Sequence, residues 1–110
     1  MEEKVRNLIK EMEARLAKTA MRSYSNFCIG ITNDVEQGLF QRHNVSKDMD
    51  WWIYVDVGDV ENARQIAQYF LEKGMRGNDD KGNEHSTIVY CYVVTQYTME
   101  SFGTYKRATI

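Results

Sequence analysis

Proline is absent from this 110-residue chain, so no X-Pro isomerisation slows its folding. No apolar run approaches the roughly 20 residues that a membrane span requires. Residues 1–10 mix acidic and basic side chains and lack the apolar core of a secretory signal. A cytoplasmic protein is the expectation. Excess charge of one sign is missing too: the formal net charge is −2 and the pI about 5.7. That argues against wrapping nucleic acid through bulk charge and leaves room only for a local basic patch. Cysteine is scarce. Cys28 and Cys91 both sit in apolar runs and read as buried thiols of a reducing compartment; a disulfide requires their strands to be neighbours. Short-spaced ligand pairs are lacking as well, so Cys28, Cys91, His43 and His85 read as core thiols and surface histidines rather than a zinc site. The stretch from Gly77 to Glu84 fits neither calcium-loop nor phosphate-loop spacing. It reads as an exposed loop, with a ligand-closing flap as the alternative. No cofactor and no metal are expected.

What is present is ordinary for one folded domain: 43% hydrophobic and 27% charged residues. A chain of this size buries roughly two-thirds of its unfolded surface, enough for a core. Residues 2–20 predict an amphipathic helix with Val5, Leu8, Ile9, Met12 and Leu16 on one face. It packs on its own domain or serves as a dimerisation or partner helix. Residues 27–31 predict a short strand, apolar at nearly every position and so central in its sheet. Asn33 and Glu36 have the outline of a capping box opening a helix over residues 34–43, with Gly38 in mid-helix marking a close contact. Residues 51–57 alternate as a strand, with Trp51, Ile53, Val55 and Val57 on one face and Trp52, Tyr54 and Asp56 on the other. Asp59 caps a second amphipathic helix over residues 60–73, and Gly74 ends it in the left-handed position. Residues 87–96 are the last strand. The order α-β-α-β-α-β implies a small α/β (α+β) domain, three helices with a sheet of at least three strands. Its core runs over residues 27–96, and residues 97–110 form a weakly patterned tail, mobile or partner-dependent.

The stretch Cys28-Ile29-Gly30-Ile31-Thr32-Asn33-Asp34, with Leu39 and His43-Asn44 after it and Ala63 to Phe70 further on, resembles the second half of the GIY-YIG endonuclease signature. The likeness covers about residues 27–75. It implies a strand, turn and helix core and an ancestral phosphodiesterase chemistry. The slots that carry that chemistry are filled otherwise. Cys28 stands for the family's tyrosine, Gly38 for its arginine and Ala67 for its metal-binding glutamate. The histidine slot falls on Arg42, with His43 one place late. The preceding Gly-Ile-Tyr strand is absent, and the strand bearing Tyr90 and Tyr92 is the candidate for its place beside residues 27–31. Phosphodiester hydrolysis needs a metal, a cation for the developing charge and an activated water. The resemblance therefore implies a scaffold without nuclease activity, in the manner of an accessory protein of phages or mobile elements. The alternative is a divergent nuclease using Asp56, Glu61 or Glu72.

The residues themselves point to binding. Trp52 and Tyr54 share a strand face; left open, it is an aromatic platform for bases or a nucleotide, with Arg42, Arg64 or Arg76 to meet phosphate. His43 joins this candidate set. The same residue types also anchor protein interfaces. The expected partner is thus a nucleic acid, a nucleotide or a protein, with a homo-oligomer through residues 1–20 as a further alternative. No catalytic residue is assigned.

Overall fold

The computed structural model describes residues 2–19, 23–77 and 82–99. Helix α1 (Glu3–Leu16) is followed in sequence by a 3-10 turn (Tyr24–Asn26) that opens into strand β1 (Phe27–Thr32). A π-helix (Glu36–Arg42), strand β2 (Trp52–Asp56), helix α2 (Val60–Glu72) and strand β3 (Ile88–Val93) follow. The three strands form one antiparallel sheet in the order β1-β3-β2, giving a small α+β fold.

The sheet separates two cores. Strand alternation directs Phe27, Ile29, Val89 and Cys91 to one face. There they meet Val5, Ile9, Met12 and Leu16 of α1 and Ala63, Ile66 and Phe70 of α2. Full burial of each large apolar side chain contributes about 1.5–3 kcal/mol, so the helices are held by this stripe. The α1 stripe is consumed within its own domain, with Val5 and Met12 at 0% exposure. A homo-oligomer through residues 1–20 would need that stripe on the outside. Helix α2 is bounded as its sequence predicts. The Asp59 carboxylate accepts from Asn62 N at 2.7 Å. At the other end Gly74 has φ 114°, and its N–H and that of Met75 return to the Leu71 and Phe70 carbonyls.

Two expectations change, those for β1 and for the tail, while the buried thiols stand as expected. Strand β1 is not central: its apolar run reflects cover on both faces, while β3 occupies the middle. The outer edge of β1 is closed by Arg76, whose N–H donates to the Phe27 carbonyl while its own carbonyl accepts from Ile29 N, both at 2.9 Å. Cys28 and Cys91 do lie on neighbouring strands. However, Cys28 pairs with Tyr92 and Cys91 with Ile29, which sends the two thiols to opposite faces. Both are free and buried, and burial pushes the Cys91 thiol well up. The tail begins in contact with the domain: Met99 N donates to the His43 carbonyl at 2.8 Å and Thr98 is buried. The rest of the expected tail, residues 100–110, lies outside the described residues.

Helices α1 and α2 are also joined at Glu13, whose Oε2 accepts from the Tyr69 hydroxyl at 2.8 Å and from the Tyr24 hydroxyl at 3.4 Å. The bond to Glu13, with burial second, pushes the Tyr69 phenol up to about 12. A phenol raised in the folded state favours folding fully below its ordinary value near 10; that contribution is lost as pH climbs towards 12. In Glu13→Gln, which removes the carboxylate charge, Tyr69 should titrate at lower pH than in the unsubstituted protein. Tyrosinate absorbance should then appear at lower pH than in the unsubstituted protein, with Tyr24, which Glu13 also raises, moving the same way. Superimposable titrations would show that the contact does not persist in solution.

Candidate ligand-binding cleft

The second face of the sheet carries Cys28, Gly30 and Thr32 from β1, Tyr92, Tyr90 and Ile88 from β3, and Trp52, Tyr54 and Asp56 from β2. The π-helix covers half of it. Gly38 permits this, since a Cβ there would stand 2.9 Å from Thr32 Oγ1. The helix opens one residue later than the capping pattern places it: Asp34, not Asn33, accepts from Gln37 N at 3.2 Å. Leu39 and Val45 then pack on Cys28, Tyr90 and Tyr92.

His43, expected at the surface, is 2% exposed. It ends the turn that brings it under the sheet. Its Nε2 lies 2.8 Å from the Tyr90 hydroxyl, and its Nδ1 lies 2.9 Å from the Tyr92 hydroxyl and also against the Met99 carbonyl. A carbonyl only accepts, which assigns the proton to Nδ1 and leaves Nε2 to receive the Tyr90 O–H. Gly30 makes room for this arrangement. It faces Tyr90 in register, and a Cβ on it would come within 2.3 Å of the phenol oxygen.

With His43 turned inward, Arg42 beside it faces out. It lines a cleft of about 230 Å³ together with Ile31, Thr32, Asn33, Gly82, Asn83 and Ser86. The polar groups of this cleft are unevenly satisfied. Ser86 Oγ accepts from Asn83 N at 3.0 Å, and Asn83 Oδ1 accepts from His85 N at 2.8 Å. Each also carries a donor, the Ser86 O–H and the Asn83 amide N–H. The Arg42 guanidinium, five donors with no acceptor, makes no ion pair or hydrogen bond among the described residues. Among the described residues no carboxylate lines the cleft. Such a wall suits an acceptor-rich anion.

Tyr54 is 46% exposed and stacks on Trp52 at 6.2 Å with 6° between the rings. The far side of Trp52 is closed by Phe40, edge-on at 5.0 Å, and its indole N–H is held by the Lys47 carbonyl. Of these stacked rings, Tyr54 is therefore the one that stays open. Arg64 and Arg76 do not join this face. Arg64 is on α2, in the opposite layer, 3.9 Å from Glu61. Arg76 flanks the outer edge of β1 and donates to the Ser25 carbonyl at 3.1 Å. Glu61 and Glu72 also belong to α2, so they do not converge with Asp56, which accepts from Gly58 N. Ala67 packs on the helix-side core. Among the described residues no three His, Cys, Asp or Glu side chains gather as a metal site.

The sequence reading missed Asn33, Asn83 and Ser86 as cleft residues. The glycine loop hinted at them through its polarity, but nothing local shows that it folds back onto the end of β1. His43→Leu would remove a buried partner from two phenols. At about 1–3 kcal/mol for each unmet buried group, the loss expected in urea unfolding is about 2–6 kcal/mol. A change under about 1 kcal/mol would show that His43 does not bridge them.

No protein-family model, curated protein or solved structure matches the chain.

Proposed function

We propose that the chain is a non-catalytic binding domain with a GIY-YIG-like core, whose cleft takes the phosphate of a nucleic-acid strand or nucleotide. The observation that carries this reading is the set of donors around Arg42, in a cleft whose described lining holds no carboxylate. The GIY-YIG-like core is supported by β3, which brings Tyr90 and Tyr92 beside β1. Absence of cutting is supported by the donor set. Cys28 and Gly38 bring no charge, and Ala67 points into apolar surroundings instead of the cleft. Hydrolysis would lack both the acid that holds a metal and its paired cation.

The placement of Tyr54 favours a strand over a single phosphate group. The cleft flanks β1 and Tyr54 is on β2, two strand spacings or about 10 Å away. A ligand reaching both has a phosphate and, beyond it, a base to stack. With one guanidinium at the phosphate and net charge −2, binding is weakly salt-dependent; one or two neutralised phosphates give a slope of about −1 in log K against log salt.

Fluorescence anisotropy with a labelled single-stranded 12-mer at 50 and 200 mM salt tests this. Arg42→Ala should weaken binding about tenfold, the scale of one charge-assisted contact, and Tyr54→Ala by a similar factor. Incubation with Mg²⁺ or Mn²⁺ should leave the strand intact. Metal-dependent cutting, or affinity indifferent to Arg42, would overturn the reading.

A further inference from the structure

The two edges of the sheet are treated differently. On β1 the outward backbone groups of Phe27 and Ile29 are bonded to Arg76. On β2 they are not. The bonds from Val93 N to the Trp51 carbonyl at 3.1 Å and from Val57 N to the Thr87 carbonyl at 2.8 Å fix the ladder phase. Residues 51, 53, 55 and 57 face β3, and Trp52, Tyr54 and Asp56 turn their N–H and C=O groups outward. Among the described residues these outward backbone groups have no partner. Soluble proteins blunt such an edge with charged side chains, lysine above all, with proline or with bulges. Trp52–Asp56 contains no lysine or proline, its one charge, Asp56, stands at its end, and its register with β3 runs unbroken.

We infer that β2 pairs with β2 of a second copy of this chain, antiparallel about a two-fold axis at Tyr54, to make one continuous six-stranded sheet. The strand is complementary to itself in this register. Tyr54 stands opposite its own copy and Trp52 opposite Asp56, which returns about six backbone hydrogen bonds. Ile53 meets Val55 across the axis on the other face. Both are half-buried residues packed at the border of the helix-side core, so the pairing extends that core across the junction. No like charges stand opposite each other. A two-fold contact closes and does not propagate. The α1 stripe, being internal, does not compete for this role.

Size-exclusion chromatography with light scattering on the full chain, from about 1 to 100 µM, tests the assignment. The expected result is a concentration-dependent dimer that Tyr54→Lys, which opposes two ammonium groups at the axis, converts to monomer with unchanged circular dichroism. Tyr54→Phe should remain dimeric. Hydrogen exchange supplies an independent readout: the Trp52, Tyr54 and Asp56 amides should gain protection as concentration rises. A monomer throughout, a dimer that survives Tyr54→Lys, or protection of these amides that ignores concentration would each overturn the proposal. The last outcome would mean that another segment of the same chain, not a second copy, occupies the edge.

Discussion

One imidazole joins three distant parts of this protein. His43 closes the π-helix, Tyr90 and Tyr92 belong to the middle strand, and Met99 lies beyond the sheet. Polar groups this deeply buried are tolerated only when they satisfy one another, and the cost of an unmet one exceeds the gain of a met one. The contact therefore selects a single seating of the π-helix on the sheet. That seating decides the cleft. Adjacent residues at the end of one turn cannot share a direction, so an inward His43 leaves Arg42 outward. Gly30 and Gly38 serve the same seating by omitting side chains where Tyr90 and Thr32 come close.

The two faces of the sheet thus have different chemistry. The face under α1 and α2 is apolar across all three strands and supplies most of the burial. The face under the π-helix mixes phenols, an imidazole and a threonine with a smaller apolar set. Half of it is left to Tyr54 and the Arg42 cleft. A continuous core on one side allows irregular, polar structure on the other.

Local signals reached the elements and their ends. Helical spacing in α1 and α2, the alternation of Trp51 to Val57, the Asp59 cap and the Gly74 stop depend on neighbours a few residues apart, and each is in place. What failed depended on register and layer. The apolar run of β1 reported cover on two faces, which is also what a middle strand has, so it could not distinguish an edge shielded by Arg76. His43 reads as polar from its type, and its partners are 47 and 49 residues away. Arg64 and Arg76 match Arg42 in chemistry; only the fold sends one to the opposite layer and the other to a strand edge. Asn83 and Ser86 carry no spacing that announces a ligand wall.

The middle strand is also the last of the three in the chain. Strands β1 and β2 never touch each other through their ladders, so a nascent polypeptide that has emerged only as far as α2 has two strands and nothing to knit them. Sheet formation waits until Val93 has cleared the ribosome, and then both ladders arise together from contacts distant in sequence. Such closure is slow compared with helix formation. Until it occurs, Trp51, Trp52 and the apolar side of β1 stay open to solvent, a window in which chaperone engagement during synthesis would matter more than the modest size of the protein suggests.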